Sequence, residues 1–321
     1  MLEKSFKLGA LCDGDAGGRR EALNFMSDTI YRAAREEEIP ATIDLFLEAV
    51  GQLNRRHNVS MPLPPRPAVE AAYRHIFRTG IFRVAEMDGR LAAIGHAVVR
   101  DALWFLSGFW ARPELVAGGV GGRLLREVWQ EGASAGAQKF FVWSSLDQTA
   151  IASYLKAGML PGYQVFTFTG RPGAALRNAP GASAGYTSEP LSLEVACGID
   201  REVRETRREE DHRHWLSEVK LAGRQVRDGR GRLIGYYYFK GESFGPAAWM
   251  EAGAAKALLA LGCLEAAAGS ETISLRVPGI NHDAIRFALR HGLRLGATAH
   301  LFTSAPFGRM EQYLASGPSL F

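Results

Sequence analysis

The sequence predicts an α/β fold that is built twice along the chain. Residues 102–110 are apolar, aromatic and free of charge, as in a buried strand, and they lead into a glycine-rich turn and then apolar residues at helical spacing. A second strand and helix follow at residues 140–159, where Asp147 is placed to cap the helix and Gly158 to end it. A related pattern returns after residue 224, so the chain reads as a tandem duplication.

The glycine-rich turn carries four glycines in five positions, Gly118, Gly119, Gly121 and Gly122. A turn of this kind between a strand and a helix brings backbone N–H groups together without side chains in the way, which suits a pyrophosphate. The dinucleotide-binding pattern is not met, because Leu124 stands where its third glycine belongs, and no Gly-Lys-Ser/Thr is present. By itself, the turn is as well explained by structure as by a phosphate site.

Two motifs, at residues 116–121 and 147–159, resemble those of the GNAT superfamily of N-acetyltransferases. That superfamily has Arg/Gln-x-x-Gly-x-Gly/Ala at its pyrophosphate turn, and this chain has VAGGVG there. Its next helix has the form Asn-x-x-Ala-x-x-x-Tyr-x-x-x-Gly-Phe. The resemblance covers residues 29–170. The positions of this chain that correspond to the helix motif are Asp147, Ala150, Tyr154, Gly158 and Met159.

The resemblance implies a mixed, mostly antiparallel twisted sheet flanked by helices. It also implies direct transfer of an acetyl group from acetyl-CoA to a primary amine, on a small molecule or on a protein or peptide. Tyr154 would be the general acid that protonates the leaving thiol. The residues that the resemblance assigns to acetyl-CoA are Phe109, Trp110, Ala111, Ala117, Gly118, Gly119, Val120, Gly121, Gly122, Arg123, Asp147 and Tyr154.

The general base and the acceptor site are less clearly marked in the sequence. Ser107 is the one polar residue of the third strand, so Glu86 and His96 on neighbouring strands are the candidate bases, acting through water. A lone histidine at such a place is more often a core residue than a base, and an amine that arrives neutral needs no base. Arg55 and His57 lie in the connection at residues 54–67, where we predict contact with the acceptor, although such a cluster is usually solvated surface.

The chain departs from the superfamily pattern at three positions, two of which bear on affinity for the cofactor. Val116 replaces Arg/Gln, Asp147 replaces Asn and Met159 replaces Phe. The first removes a side-chain contact, and the second adds negative charge beside a polyanionic cofactor. Together with the unmarked base, these changes permit an alternative function as a non-catalytic acyl-CoA-binding or regulatory protein. A third reading is an interaction module whose paired domains hold a partner.

The second copy of the pattern has lost part of the glycine-rich turn. Gly235 corresponds to Gly95 and Asn281 to Asp147, and the copy is six residues shorter between these anchors. The helix that follows the turn already aligns with the shorter spacing between the two copies. The six missing residues therefore lie before that helix, in the turn itself. We therefore predict that this copy does not hold coenzyme A and that Asn281 is a helix cap.

The predicted organisation is an N-terminal arm, two domains and a linker. The arm covers residues 1–28 and the acetyl-CoA-binding GNAT-like domain covers residues 29–170. Residues 171–190 are rich in Ala, Gly, Pro and Ser, which is typical of a linker. A degenerate GNAT-like domain covers residues 191–321.

Composition excludes several classes of protein. The 321 residues are 47% hydrophobic and 22% charged, which is ordinary for a globular protein of two domains. The spacing of the three cysteines predicts neither a disulfide framework nor a metal site. The net charge of +4 is dispersed, so we expect no nucleic-acid partner, and no apolar run reaches spanning length, so we expect no membrane partner. A cytoplasmic location follows as an expectation, and a homodimer is left open.

Overall fold

A computed structural model describes residues 29–58, 63–112, 119–173, 176 and 185–321. The predicted N-terminal arm and most of the predicted linker lie outside these residues. The first half of the chain consists of β1 (Thr29–Ala33), α1 (Ile39–Arg56), α2 (Arg66–Thr79), β2 (Ile81–Met87), β3 (Arg90–Arg100), β4 (Leu103–Ala111), α3 (Val120–Ser134), β5 (Lys139–Ser144), α4 (Gln148–Lys156) and β6 (Leu160–Gly170).

The second half repeats this order of elements. Its first strand, β7, lies inside the stretch predicted as linker and pairs with β8, so that linker is shorter than predicted. A last short strand has no counterpart in the first half. The elements are β7 (Tyr186–Pro190), α5 (Leu193–Arg204), α6 (Glu209–Arg213), β8 (Ala222–Asp228), β9 (Leu233–Lys240), β10 (Ser243–Trp249), α7 (Ala255–Gly269), β11 (Ile273–Pro278), α8 (His282–Arg290), β12 (Arg294–Thr303) and β13 (Tyr313–Leu314).

All strands of the described residues belong to one mixed sheet, in the order β1-β2-β3-β4-β5-β12-β6-β11-β10-β9-β8-β7, with β13 against β10. Neighbours are antiparallel except for β4 with β5 and β10 with β11. The halves exchange their sixth strands: β12 pairs with β5 of the first half, and β6 pairs with β11 of the second. The exchange joins two sheets that would otherwise each end in an open edge, which is a liability for a soluble protein.

Strand alternation gives the first half two cores. On β2, Val84 points to the face covered by α1 and α2, and Ala85 points to the face covered by α3. Helix α3 approaches β3 closely because Gly95 has no side chain, and a Cβ there would meet Val128 at 3.1 Å. In the second half a Cβ at Gly235 would meet Leu258 of α7 at 2.5 Å. The repeated glycine therefore marks the same helix-on-strand contact in both halves.

A buried cluster of charged groups also joins the halves. Arg100 of β3 donates to both carboxylate oxygens of Asp211, at 2.7 and 3.1 Å, and His75 lies 2.7 Å from the same carboxylate. Burial by itself would raise the pKa of Asp211, but the Arg100 guanidinium and the hydrogen bond with His75 hold that pKa well below its usual range. The halves are therefore fixed relative to each other by a charged pair as well as by the sheet.

One helical stretch of the described residues, Ala252–Gly269, is long and apolar enough to cross a membrane by length and composition. The expectation that no apolar stretch reaches that length is therefore corrected. The stretch is half buried in the fold, and its buried residues Leu258, Leu259 and Cys263 belong to the core of the second half. This packing is typical of a core helix.

Candidate functional site

The site begins where β4 and β5 separate. The two strands pair in parallel from Leu103 opposite Lys139 to Leu106 opposite Val142, and then diverge. Just beyond, the register against β3 shifts at Ser107, which forms a bulge. The following residues pair with β3 alone, so the edge of β4 that faces β5 has no strand partner among the described residues. An extended ligand can pair with such an edge.

A cavity of about 170 Å³ lies in this opening. Its walls come from the end of β4, the end of β5, the first turns of α3 and α4, and the last turns of α1. The described residues that line it are Ala49, Leu53, Arg56, Phe109, Trp110, Ala111, Gly121, Gly122, Trp143, Ser144, Ser145, Asp147, Thr149, Ala150, Ser153 and Tyr154. The structure thus gathers β4, the helix starts and Tyr154, the parts that the resemblance assigns to acetyl-CoA.

The N-terminus of α3 has the features of an anion site. Gly119 is left-handed with φ of 73°, a conformation that favours glycine, and a Cβ at Gly122 would meet nothing within 4 Å. The first turn holds no acidic residue, and it includes Arg123, which pairs with Glu127 at 3.2 Å. The exposed N–H groups and the helix dipole favour phosphate here. Two predicted contacts, Ala117 and Gly118, lie outside the described residues.

Tyr154 lies on α4 and is only 4% exposed, yet it lines the cavity. Phe302 of the exchanged strand β12 packs against its ring at a centroid distance of 6.3 Å, so the second half of the chain helps to hold this side chain. Burial, with a smaller effect of the nearby Asp147 charge, raises the pKa of Tyr154. The hydroxyl therefore keeps its proton throughout the physiological pH range and is available as a hydrogen-bond donor.

The Asp147 carboxylate has two hydrogen-bond partners, which compensate its negative charge. One carboxylate oxygen caps α4 by accepting from the N–H of Ala150 at 2.9 Å. The other accepts from Arg56 of α1 at 3.0 Å. The negative charge that the sequence places beside the cofactor site is thus paired. Ala49, Leu53 and Arg56 fall on one face of α1 at helical spacing, and this spacing is the signal in the sequence that places Arg56 at the cavity.

The two candidate bases do not line the cavity. Glu86 is engaged by Arg32, at 2.6 and 3.1 Å. His96 is fully buried between Tyr73 and Phe82, at centroid distances of 4.6 and 4.8 Å, and neither ring nitrogen has a hydrogen-bond partner. Burial lowers the pKa of His96 to about 3, so the ring is neutral.

The predicted acceptor residues flank the cavity without lining it. Arg55 is exposed and His57 is half-buried at the C-terminal end of α1, while Arg56 between them faces the cavity. Arg56 belongs to the basic connection that the sequence predicts near the acceptor, whereas Trp143 and Leu53 were not predicted. Among the described residues, no group of three histidine, cysteine or acidic side chains is placed to hold a metal ion.

The corresponding cleft of the second half is filled by the chain itself. Strands β10 and β11 pair only at Ser243 and Phe244 and then separate, as β4 and β5 do. Strand β13 occupies the opening: Tyr313 and Leu314 pair with β10, and the N–H of Ala315 donates to the carbonyl of Arg276 on β11 at 2.9 Å. Both freed strand edges are thereby satisfied by residues 313–315.

Asn281, the counterpart of Asp147, belongs to this closed cleft. Its side-chain oxygen caps α8 by accepting from Ala284 N–H at 3.0 Å, as predicted. Its amide group donates to the carbonyl of Tyr313 at 3.0 Å. The residue that restores the superfamily's asparagine is therefore bound to the inserted strand.

No protein-family model and no curated protein matches the sequence. Solved structures do match. A Pyrococcus horikoshii protein whose acetyltransferase activity is itself inferred aligns over 92% of this chain and 97% of its own, with a TM-score of 0.72 and 13% identity. A tandem GNAT protein from the clavulanic acid biosynthesis pathway aligns over 87% and 99%, with a TM-score of 0.58 and 14% identity. The GCN5-related N-acetyltransferase from Sphaerobacter thermophilus aligns over 86% of this chain and 95% of its own, with a TM-score of 0.58 and 15% identity.

At these identities the likeness establishes the fold. The chain has the GNAT fold of N-acetyltransferases, and the alignments extend over both halves. The predicted fold class and the resemblance to the superfamily are confirmed. The acceptor is left to argument from the site.

Proposed function

We propose that the protein is an acetyl-CoA-dependent N-acetyltransferase that transfers an acetyl group directly to a primary amine. The observation that carries the proposal is the open cleft between β4 and β5, which meets the N-terminus of α3, without an acidic residue in its first turn, and a buried, protonated tyrosine. The fit to acetyl-CoA rests on the free strand edge and on the glycines of the first turn of α3. A Cβ at Gly121 would meet Phe109 at 3.1 Å and narrow the place for a phosphate.

Each part of the site has a role in the proposed reaction. Residues 119–122 hold the pyrophosphate through backbone N–H groups, because the N–H of Arg123 already donates to the carbonyl of Gly119. Phe109, Trp110 and Ala111 pair with the pantetheine. The bound thioester supplies the acetyl group and a thiol leaving group. A backbone N–H at the free edge of β4 donates to the thioester oxygen, where negative charge develops. The Tyr154 hydroxyl donates its proton to the departing sulfur.

The proposed reaction needs no side-chain base. Asp147 is the one acidic residue among the described residues that line the cavity, and its oxygens are taken by Ala150 and Arg56. Glu86 and His96, the predicted candidate bases, therefore have no role in the proposed reaction. The attacking amine arrives neutral or first loses a proton to water. After attack its nitrogen releases a second proton to water, and the Tyr154 oxygen, which has protonated the sulfur, takes a proton back from water.

Titration calorimetry with acetyl-CoA, followed by acetylation assays on a panel of amines, tests the proposal. We expect one site per chain and acetylation of at least one amine. Tight binding without transfer to any amine would favour the non-catalytic acyl-CoA-binding function. Absence of binding would rule out both.

A further inference from the structure

We propose, on the basis of the function above, that the acceptor is a small amine with an uncharged aromatic body, an arylalkylamine, held between Trp110 and Trp143. The two tryptophans come from the two strands that separate, one from β4 and one from β5. Both line the cavity. An aromatic body placed in the opening would therefore have an indole from each of the two strands within its walls.

The cavity crosses the sheet and has two chemically different sides. Phe109 and Ala150 pack with the core under α3 and α4, on the side of the anion site. Trp110 and Trp143 pack with the core under α1, on the other side. Because the donor enters from α3, the acceptor must reach the thioester from the side of α1. The second side therefore determines which amine is accepted.

The wall on the acceptor side is apolar and braced. Trp110 packs edge-on against Phe46 of α1 at 5.1 Å, and Trp143 packs edge-on against Phe321 at 5.9 Å. Leu53 completes the wall from α1. Aromatic pairs in such edge-to-face geometry hold their rings in place and offer flat surfaces to a third ring. A rigid aromatic slot binds an aryl group at low entropic cost.

The charges at the cavity argue against an acceptor with a charged body. Among its described lining residues, Arg56 and Asp147 carry charge, and they pair with each other at 3.0 Å. Glu48 and Arg112, which neighbour the lining residues Ala49 and Ala111 in sequence, likewise pair with each other at 3.0 Å. A carboxylate or a second ammonium in the slot would lose its hydration without gaining a free partner among these residues, which is costly.

The experiment measures kcat/KM of the full chain with acetyl-CoA for 2-phenylethylamine, 1,4-diaminobutane and β-alanine. We expect 2-phenylethylamine to exceed the other two by about tenfold or more. Trp143→Ala should raise the KM for 2-phenylethylamine about tenfold while the Kd for acetyl-CoA, measured by calorimetry, stays unchanged. Trp143→Phe should recover most of the loss.

Trp129→Phe serves as the matched control, because Trp129 stacks on Phe140 at 3.9 Å and does not line the cavity. If Trp143→Ala does not fold, Leu53→Ala and Trp143→Phe carry the test with the same readouts. Faster acetylation of 1,4-diaminobutane or β-alanine would overturn this inference and leave the proposed acetyltransferase standing. Acetylation of another amine of the panel but of none of these three would overturn this inference alone. Acetyl-CoA binding without acetylation of any amine of the panel would overturn both.

Discussion

The cleft between β4 and β5 and the cleft between β10 and β11 are one structural element used in two ways. In each, two parallel strands part after a few residues and leave backbone groups without partners. The first cleft keeps a cavity of about 170 Å³, and the second is closed by Tyr313 and Leu314. Unpaired strand edges inside a protein must be satisfied, either by a ligand or by the chain. The first cleft is therefore suited to binding, and the second serves the fold.

The N-termini of the two corresponding helices, α3 and α7, differ as the two clefts do. Helix α3 begins at the left-handed Gly119 and has no acidic residue in its first turn. Helix α7 is preceded by a 3₁₀ turn, Ala252–Ala254, that begins after Glu251. The Glu251 carboxylate lies 3.6 Å from Arg232 and caps no N–H of this turn, and its negative charge disfavours a phosphate near the helix start. We therefore expect the second half to lack an anion site as well as the space for a pantetheine.

The largest effect is expected for Tyr154→Phe, which should lower kcat by about 10²- to 10⁴-fold. The hydroxyl matters only when the thiolate leaves, and the ring stays to pack against Phe302. The Kd for acetyl-CoA should therefore change little. Steady-state kinetics and calorimetry on the same preparation give both quantities.

Tyr163→Phe is the matched control for that substitution. Tyr163 shares with Tyr154 a pKa that burial raises, and its own buried hydroxyl has no hydrogen-bond partner among the described residues, but it does not line the cavity. It should retain wild-type turnover. Equal losses in the two variants would move Tyr154 to a packing role and strengthen the non-catalytic alternative.

The next effect contrasts the two helix starts. Gly121→Val should weaken acetyl-CoA binding by about 100-fold or more, since the new side chain fills the phosphate site and presses on Phe109. Gly253→Val, at the start of α7, should leave binding unchanged, because a Cβ there meets nothing within 4 Å. Calorimetry gives the affinities, and circular dichroism checks the fold. Normal binding by a folded Gly121→Val protein would show that the pyrophosphate is held elsewhere.

The local parts of this comparison could be predicted from the sequence. The glycine-rich turn, the cap at Asp147 and the cap at Asn281 are each set by residues a few positions apart. The shortening of the turn in the second copy could also be predicted, because it changes the spacing between residues that correspond in the two copies. Local backbone chemistry determines these features, so the sequence carries them directly.

The long-range parts could not be predicted. The exchange of β6 and β12 depends on whether each strand pairs with β5 or with β11. The pattern of apolar and polar residues along each strand is the same in either pairing, so the sequence does not indicate which one forms. Strand β13 is two residues long and has no periodic signal. His96 lies on a strand that is buried on both faces. Its apolar residues therefore do not alternate with polar ones, and the sequence could not predict which face of the sheet the His96 side chain occupies.

A smaller effect distinguishes the two cap residues. Asn281→Ala should lower the free energy of unfolding by about 2 kcal/mol, because it removes a helix cap and leaves the Tyr313 carbonyl without its amide donor. Asp147→Ala removes a cap beside an open cavity and should cost about 1 kcal/mol. Urea unfolding measures both. If Asn281→Ala were the milder change, β13 would not be held in the cleft by this amide.

The smallest effect concerns the charge at the open cleft. Asp147→Asn keeps an oxygen to cap α4 but removes the negative charge, so the Kd for acetyl-CoA should fall about threefold. Arg56→Gln leaves Asp147 unpaired beside the phosphates and should raise the Kd by about the same factor. Both shifts should shrink at high salt, because Arg56 is exposed to solvent and screened there. Shifts in the same direction would mean that the pair only ties α1 to α4. Opposite shifts would mean that Arg56 offsets the charge introduced where the superfamily has asparagine.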